Sequence, residues 1–317
     1  MKKYIISICI IILIMILAVM LFIHYKDMDY QDNNGNVDDD MYNNWIGKYA
    51  ISENNVTTIA EIKKVDNSFY LTIDIADVTS SNIHTKSSQG TISILNNTEA
   101  LFDVENVMNN INIDSLSLVN DCLHVNLIDN NKIILPKLII SQNIHEFYQQ
   151  VPFSFIDLTL NNIPLEYTDK LLSAFGNEIN REYYSFEDET RAKIYYEKGV
   201  CLYVAFKENS NIIDYIVGYD VTDPSIVVAR GLNCGKAYND VISSFLDLRL
   251  RHYINGKEFP QSQDTEFIYG IDGYMNKRAY IEYSNEIANK IVYKNEESTI
   301  IFFLDNNMKV SKISYMR

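Results

Sequence analysis

Residues 69–75 read FYLTIDI, and this short stretch decides how the middle of the chain is interpreted. Apolar residues stand at positions 69, 71, 73 and 75, and the residues between them are Tyr, Thr and Asp. An alternation with a period of two is typical of a β-strand with one buried face. The stretch therefore predicts a strand whose odd-numbered residues face a core.

Similar alternating segments flank this strand on both sides. Turn-forming residues separate them, for example at 65–68, 87–90 and 129–131. Short antiparallel strands at this spacing favour a small barrel or a sandwich. We therefore predict an all-β domain over residues 44–150, in which side chains fill the interior of a barrel more often than a ligand does.

The opening of this domain carries a short motif. Trp45, Gly47 and Tyr49 form the pattern W-x-G-x-Y, and a run of predicted strands follows. In this respect the segment resembles the first strand of calycin-type barrels. The resemblance implies a barrel with room for a small ligand, which keeps a small-molecule carrier open as an alternative function.

The C-terminal half contains an internal repeat. Residues 171–175 (LLSAF) match 241–245 (VISSF) in short helical stretches, and the hairpin that begins at 204–206 matches the one that begins at 301–303. Each copy reads as a helix, then one or two strands, then a closing hairpin. Residues 151–317 are therefore predicted to form an α+β domain of two helix-plus-antiparallel-sheet repeats.

The turn between Gly231 and Gly235, which leads into Asp240, Val241 and Phe245, adds to this pattern. With the closing hairpins, it resembles the tandem repeats of β-lactamase-inhibitor-protein-like domains and the SmpA/OmlA-type modules of bacterial envelopes. The first copy departs from the pattern, because residues 163–167 (IPLEY) replace the two-glycine turn. The resemblance covers about half the chain, and it implies a protein-binding surface on the open face of a sheet, without catalysis.

Residues 4–25 read YIISICIIILIMILAVMLFIHY and contain no Lys, Arg, Asp or Glu. An apolar run of about 20 residues matches the thickness of a bilayer core, so we expect a transmembrane helix in a membrane anchor over residues 1–26. A cleaved signal peptide is the alternative, with a shorter apolar region of about 7–15 residues. Lys2 and Lys3 precede the run and Lys26 follows it, which predicts a single-pass protein in the cell membrane with a cytoplasmic N-terminus and an extracellular C-terminal bulk.

Acidic residues dominate the rest of the chain. Residues 27–43 are predicted to be an acidic linker, and the whole chain has 27 Lys and Arg against 42 Asp and Glu, a net charge of −15. Polyanion-binding proteins need a basic footprint. The composition therefore argues against a nucleic-acid partner.

Motifs for chemistry are incomplete. His145 and Glu146 begin the zinc-protease pattern H-E-x-x-H, but residue 149 is Gln. Cys234 lies between glycines in a loop, and a pairing with His252 is conceivable but has no local support. Free thiols are favoured over a disulfide among Cys122, Cys201 and Cys234. We assign no catalytic, cofactor-binding or metal-binding residue and expect no cofactor.

We expect an anchored extracytoplasmic protein of the bacterial envelope that binds a protein or an envelope component without turnover. The membrane itself is a partner through residues 4–25. An envelope hydrolase with dispersed carboxylates and a small-molecule carrier that uses the β domain are the alternatives. Carboxylates that converge about 5–10 Å apart in a cleft would favour the hydrolase, and an apolar cavity in the barrel would favour the carrier.

Overall fold

The computed structural model describes residues 42–317 apart from 66, 79–82, 105–110, 140–143, 155–156, 167, 250–252, 255–256, 259–260, 263 and 271–277. Its first sheet contains eight antiparallel strands, each paired with the next along the chain. They are β1 Gly47–Glu53, β2 Val56–Val65, β3 Ser68–Val78, β4 Ile83–Ile94, β5 Glu99–Val104, β6 Ile113–Val119, β7 Cys122–Leu127 and β8 Lys132–Pro136.

The last strand of this sheet returns to the first. Tyr49 forms an antiparallel bridge with Lys137, and the Leu138 amide donates to the Lys48 carbonyl at 2.8 Å. The sheet is therefore a nearly closed eight-stranded barrel. Of the barrel and the sandwich that the sequence left open, the structure has the barrel.

Side chains fill the barrel interior. Leu71, Ile73, Leu123 and Leu135 face inwards and have no exposed surface. Gly90 also faces the interior, where a Cβ atom would lie 2.8 Å from the Phe102 ring and 2.4 Å from the Asp103 carbonyl oxygen. The absence of a side chain at this position makes room for the aromatic ring, which fits a packed small barrel better than a ligand-holding one.

A connecting region follows the barrel. It contains helix α1 (Ile144–Tyr148), the two-residue strands β9 (Thr159–Leu160) and β10 (Ile163–Pro164), which pair with each other, and helix α2 (Thr168–Ala174). Val151, Phe153 and Leu160 from this region have no exposed surface. The region therefore contributes to the core and is more than a surface linker.

The remaining elements build a second sheet. They are β11 Glu178–Phe186, β12 Glu189–Tyr196, β13 Val200–Phe206, β14 Ile213–Val221, a 3₁₀ turn at Ala229–Gly231, α3 Tyr238–Ile242, β15 Tyr253–Ile254, β16 Lys257–Glu258, β17 Gln261–Ser262, β18 Thr265–Tyr269, β19 Arg278–Ser284, β20 Ile287–Lys294, β21 Thr299–Leu304 and β22 Val310–Met316. Strands β15 and β16 pair separately, and the others form a ten-stranded antiparallel sheet.

This sheet consists of two meanders that meet edge to edge. The strand order is β11-β12-β13-β14-β22-β21-β20-β19-β18-β17, so the final strand pairs with β14 in the middle. The two hairpins matched in the sequence, β13–β14 and β21–β22, lie on either side of this seam. At the seam, the Tyr219 and Tyr315 rings stack with centroids 5.2 Å apart.

One hydrophobic core joins the outer wall of the barrel to the inner face of the ten-stranded sheet. Ile59 and Ala76 of the barrel belong to it, together with Phe153 of the connecting region and Phe245 and Phe302 of the C-terminal half. Residues 47–317 form one compact unit. The predicted domain boundary near residue 150 separates the two sheets, and the two predicted domains share this core.

The predicted α+β class is wrong, because the structure is mostly β. Helices α2 and α3, which were expected to form a layer, have only seven and five residues and serve as short connections. The prediction of an N-terminal transmembrane helix also needs correction: no helix of the described residues is long and apolar enough to cross a membrane. The predicted span, residues 4–25, and most of the predicted linker lie outside those residues.

Candidate functional site

One face of the ten-stranded sheet packs on the core, and the opposite face stays partly exposed. On β12, Ala192 and Ile194 have no exposed surface, whereas Lys193 and Tyr195 are partly exposed. We call this second side the open face. Its aromatic side chains are Tyr184, Phe186, Tyr195, Tyr203, Tyr215, Phe267, Tyr280 and Phe303, and its basic side chains are Arg191, Lys193, Arg278, Lys290, Lys294 and Lys312.

Basic side chains lie against the aromatic rings of this face. The Arg191 guanidinium stands 4.2 Å from the Phe186 ring centre, and the Lys193 ammonium stands 5.4 Å from that of Tyr203. Cation–π contacts of this kind stabilise a side-chain arrangement by about 0.5–1 kcal/mol at exposed sites. The surface is therefore ordered before any partner arrives.

The acidic side chains of the face accept hydrogen bonds from their neighbours. Glu189 accepts from Arg191 at 2.7 Å and from the Tyr215 hydroxyl at 2.9 Å. The hydrogen bond from Arg191, followed by that from Tyr215, lowers the pKa of Glu189. Glu189 is therefore ionised at neutral pH and poorly suited to act as a general acid.

Asp220 lies at the centre of the open face, on the β14 side of the seam. Its carboxylate accepts from the Tyr203 hydroxyl at 2.7 Å, pairs with the Lys312 ammonium at 2.9 Å, and accepts from the Ser314 hydroxyl. Partial burial alone would raise the pKa of Asp220, but the hydrogen bonds from Ser314, Lys312 and Tyr203 leave it lowered. The cluster ties β13, β14 and β22 together.

A depression lies at one end of the open face, where strands β19 to β22 meet the turn after β20. Its volume is about 630 Å³. Its lining includes Arg278, Lys294, Glu297, Ile301, Met316 and Arg317. It combines three basic groups and two acids, Glu296 and Glu297, with apolar side chains.

The side chains of a second constellation are almost fully buried. The Arg230 guanidinium pairs with both carboxylate oxygens of Asp157, at 2.7 and 2.9 Å, and also donates to four backbone carbonyls. Asp74 of β3 accepts from Ser87 and from Ser154, each at 2.7 Å, while the Ser154 amide donates to Asp157. The chain of hydrogen bonds runs from the barrel wall to the core of the C-terminal half.

These two carboxylates converge, as a hydrolase would require, but they do not line a cleft. Asp74 has no exposed surface and Asp157 is 4 % exposed. Burial, followed by the nearby Asp157 charge, raises the pKa of Asp74 to about 6. No substrate reaches groups packed this closely, so the constellation is structural.

The sequence placed Asp74 on the less buried side of its strand, and this was wrong. The residue faces outwards from the barrel, but the connecting region covers it there. The period of two distinguishes the faces of a strand and does not reveal whether a second layer covers the outer one.

The thiols of Cys201 and Cys234 are not activated. Cys234 lies in its predicted loop, but its sulfur is buried and contacts the Val221 carbonyl at 3.4 Å. Burial raises the pKa of both Cys234 and Cys201 to about 11, which disfavours the thiolate that a nucleophile needs. His252, the suggested partner of Cys234, lies outside the described residues.

The incomplete zinc-protease pattern at residues 145–149 does not form part of a metal site among the described residues. His145 and Glu146 lie in the short helix α1, which begins at Ile144. Within the part of the chain that the structure describes, no three or more His, Cys, Asp or Glu side chains converge as metal ligands.

Four tyrosines of the ten-stranded sheet divide between two environments. Tyr184 and Tyr195 lie on the open face, whereas Tyr196 and Tyr269 are buried in the core. Sequence reasoning missed Tyr203, Asp220 and the depression, because strands far apart in the chain bring them together. The alternation within β12 and β20 is the signal that was available for the open face.

Comparison with protein families and with curated proteins adds no relative. No protein family matches the chain, and no curated protein matches it significantly.

Proposed function

We propose that this chain is a non-catalytic binding protein that recognises another protein through the open face of its ten-stranded sheet. The observation that carries this proposal is the contrast between the two sides of one sheet. Neighbouring residues of the same strands are fully buried on one side and leave aromatic and charged groups partly exposed on the other. A cluster of partly exposed aromatic groups is typical of a protein–protein interaction site, because aromatic residues are enriched in such interfaces.

The chemistry of the face fits a protein partner. Tyrosine and arginine are enriched among the residues that dominate the free energy of protein–protein association, because they combine large contact areas with polar tips. Tyr195, Tyr203 and Tyr215 are already oriented by hydrogen bonds to acids of the same face. Such ordering reduces the entropy lost on binding.

The resemblance to β-lactamase-inhibitor-protein-like repeats points to the same face. Its glycines, Gly231 and Gly235, have φ angles of 81° and 93°, and Asp240 accepts a hydrogen bond from the Ala237 amide at 3.1 Å. Phe245 packs beneath the sheet, with its ring centre 4.3 Å from that of Tyr293. The motif therefore supports the core side of the sheet and leaves the open face for binding.

The packed barrel and the buried carboxylates support this proposal over the two alternatives. Side chains occupy the barrel interior, and the converging acids are Asp74 and Asp157, which are buried. An extracytoplasmic location stays a prediction.

Site-specific photo-crosslinking in the source cell tests the proposal. The full chain carries benzoylphenylalanine in place of Tyr203 or Tyr280 on the open face, or in place of Ile128, which is 67 % exposed on the barrel. We expect one protein to be captured from both tyrosine positions and not from Ile128. Tyr203→Ala and Tyr280→Ala should each weaken its binding by about tenfold or more, and Ile128→Ala should not. Capture from Ile128 alone, or turnover of envelope material by the chain, would reject the proposal.

A further inference from the structure

Two basic side chains stand next to each other on the open face without an acid between them. Arg278 of β19 and Lys294 of β20 are directly opposed in the strand pairing. The Arg278 guanidinium and the Lys294 ammonium each lie 5.9 Å from the centre of the Tyr280 ring. Neither forms an ion pair with a carboxylate of the residues that the structure describes.

Neighbouring cations of the same face are neutralised. Lys290 pairs with Glu282 at 2.5 Å, and Lys312 pairs with Asp220 at 2.9 Å. Partial burial, and then the positive charge of Arg278, lower the pKa of Lys294 against a smaller opposing effect of the Glu282 carboxylate. Arg278 and Lys294 therefore repel each other in the folded protein, and a bound anion would reduce this repulsion.

The shape of the surface gives such an anion a place. The pair faces the depression described above, whose apolar lining includes Ile301 and Met316, the latter 56 % exposed. Arg317 adds a third cation, and its guanidinium lies 3.7 Å from the carboxylate of the exposed Glu297. A ligand with a carboxylate next to an apolar group would pair with the basic lining residues and pack on the apolar ones.

We infer that the depression receives an acidic segment of the protein partner, with a carboxylate seated between Arg278 and Lys294. This inference rests on the proposed function and names the chemistry of the partner. The whole chain has a net charge of −15, which repels long polyanions such as nucleic acid. The charges of a long polyanion extend well beyond the depression and so lie near the acidic surface around it. A short acidic peptide places its few charges within reach of the local cations alone.

Binding of fluorescein-labelled hexaglutamate to the full chain, at low and at physiological salt, tests the inference. We expect saturable binding that weakens as salt rises, and a loss of at least tenfold in Arg278→Glu/Lys294→Glu. The matched control is Lys207→Glu/Lys236→Glu, which changes the net charge equally at two exposed loop positions and should keep most of the affinity. Titration of Lys294 by NMR should show that hexaglutamate raises the pKa of its ammonium group.

An equal loss in both double variants would overturn the inference, since binding would then follow net charge. Tighter binding of a single-stranded oligonucleotide or a heparin fragment, with the same dependence on Arg278 and Lys294, would also overturn it in favour of another polyanion. If hexaglutamate fails to bind while crosslinking still captures a protein from Tyr203, the acidic-segment inference falls and the proposed function stands. Failure of the crosslinking alone rejects the proposed function.

Discussion

Asp74 shows how one side chain reports on the layers around it. A carboxylate with no exposed surface loses its hydration, and the two serine hydroxyls that donate to it replace only part of that hydration. Asp157 adds a second negative charge nearby, and Arg230 is bonded to Asp157 directly. The ionised form of Asp74 is therefore disfavoured in the folded protein.

Stability should depend on pH through Asp74. Its pKa is raised from 3.8 to about 6 in the folded state, so the folded protein binds the proton more tightly than the unfolded chain. The cost of its charge is absent below about pH 4 and grows, as pH rises through this window, to roughly 3 kcal/mol at most. The difference in free energy of unfolding between Asp74→Asn and wild type should therefore increase from pH 5 to pH 8 in urea titrations.

Asp77→Asn provides the control for this measurement, because Asp77 lies on the same strand and is partly exposed. The comparison separates the effect of the buried carboxylate from that of charge removal on the same strand. A pH-independent difference for Asp74→Asn would contradict the assignment of the buried charge.

Two buried tyrosines offer a matched comparison of a satisfied and an unsatisfied hydroxyl. The Tyr269 hydroxyl accepts a hydrogen bond from the Phe153 amide at 3.0 Å, whereas the Tyr293 hydroxyl finds no partner among the described residues. Tyr269→Phe should lower the free energy of unfolding by about 1 kcal/mol, and Tyr293→Phe should leave it unchanged or raise it by up to about 1 kcal/mol. Chemical denaturation of both variants decides this, and an equal loss in the two would disprove it.

At the scale of elements, the seam between β14 and β22 determines the shape of the open face. Gly218 lies at this seam opposite Met316, where a Cβ atom would come within 2.4 Å of the Tyr315 carbonyl oxygen. The two strands approach closely because this position has no side chain. The two meanders can then join into one continuous surface.

Gly218→Ala should separate the strands at the seam. We expect a loss of about 1–3 kcal/mol in the free energy of unfolding, because a backbone oxygen cannot move away as a flexible side chain can. Thr299→Ala, a partly exposed position of the neighbouring strand β21, should change stability by no more than about 0.5 kcal/mol. If Gly218→Ala were as stable as wild type, the seam would have to accommodate a methyl group, and the close approach of the two strands would not depend on glycine.

At the scale of the whole molecule, a buried ion pair connects the parts of the chain. Arg230 has a φ angle of 54°, an unfavourable region for a residue with a side chain. Its guanidinium is held by Asp157 and by the carbonyls of Tyr148, Val151 and Ser244, among others. These hydrogen bonds hold Arg230 in its unfavourable backbone conformation. They also join the connecting region to the C-terminal half.

Removal of Arg230 should destabilise the entire molecule. Arg230→Met leaves Asp157 buried without a counter-charge, so we expect a loss of about 3–5 kcal/mol. Calorimetry should show one transition, shifted to lower temperature, because the barrel and the sheet share a core. Arg181→Met breaks the more exposed pair with Glu178 and should cost less than about 1 kcal/mol. Two separate transitions in wild type would contradict the shared core.

The sequence by itself determined the strands and the core-facing residues of many of them, because alternation with a period of two is a local property of a chain beside a core. It also indicated the two matching hairpins and the binding role now proposed for the sheet. The sequence overestimated the helices. Their periodic pattern indicates a helical turn but does not show how far the helix extends, and these helices have only seven and five residues.

Only the tertiary structure decided which strands meet. It brought β14 beside β22, buried Asp74 under the connecting region, and placed Arg278 beside Lys294 over one aromatic ring. These relations depend on pairings between residues far apart in the chain, and the interactions that select them are made only once the layers have packed together. Local patterns contain no information about such distances, and for this reason the open face and its basic depression emerged only from the folded chain.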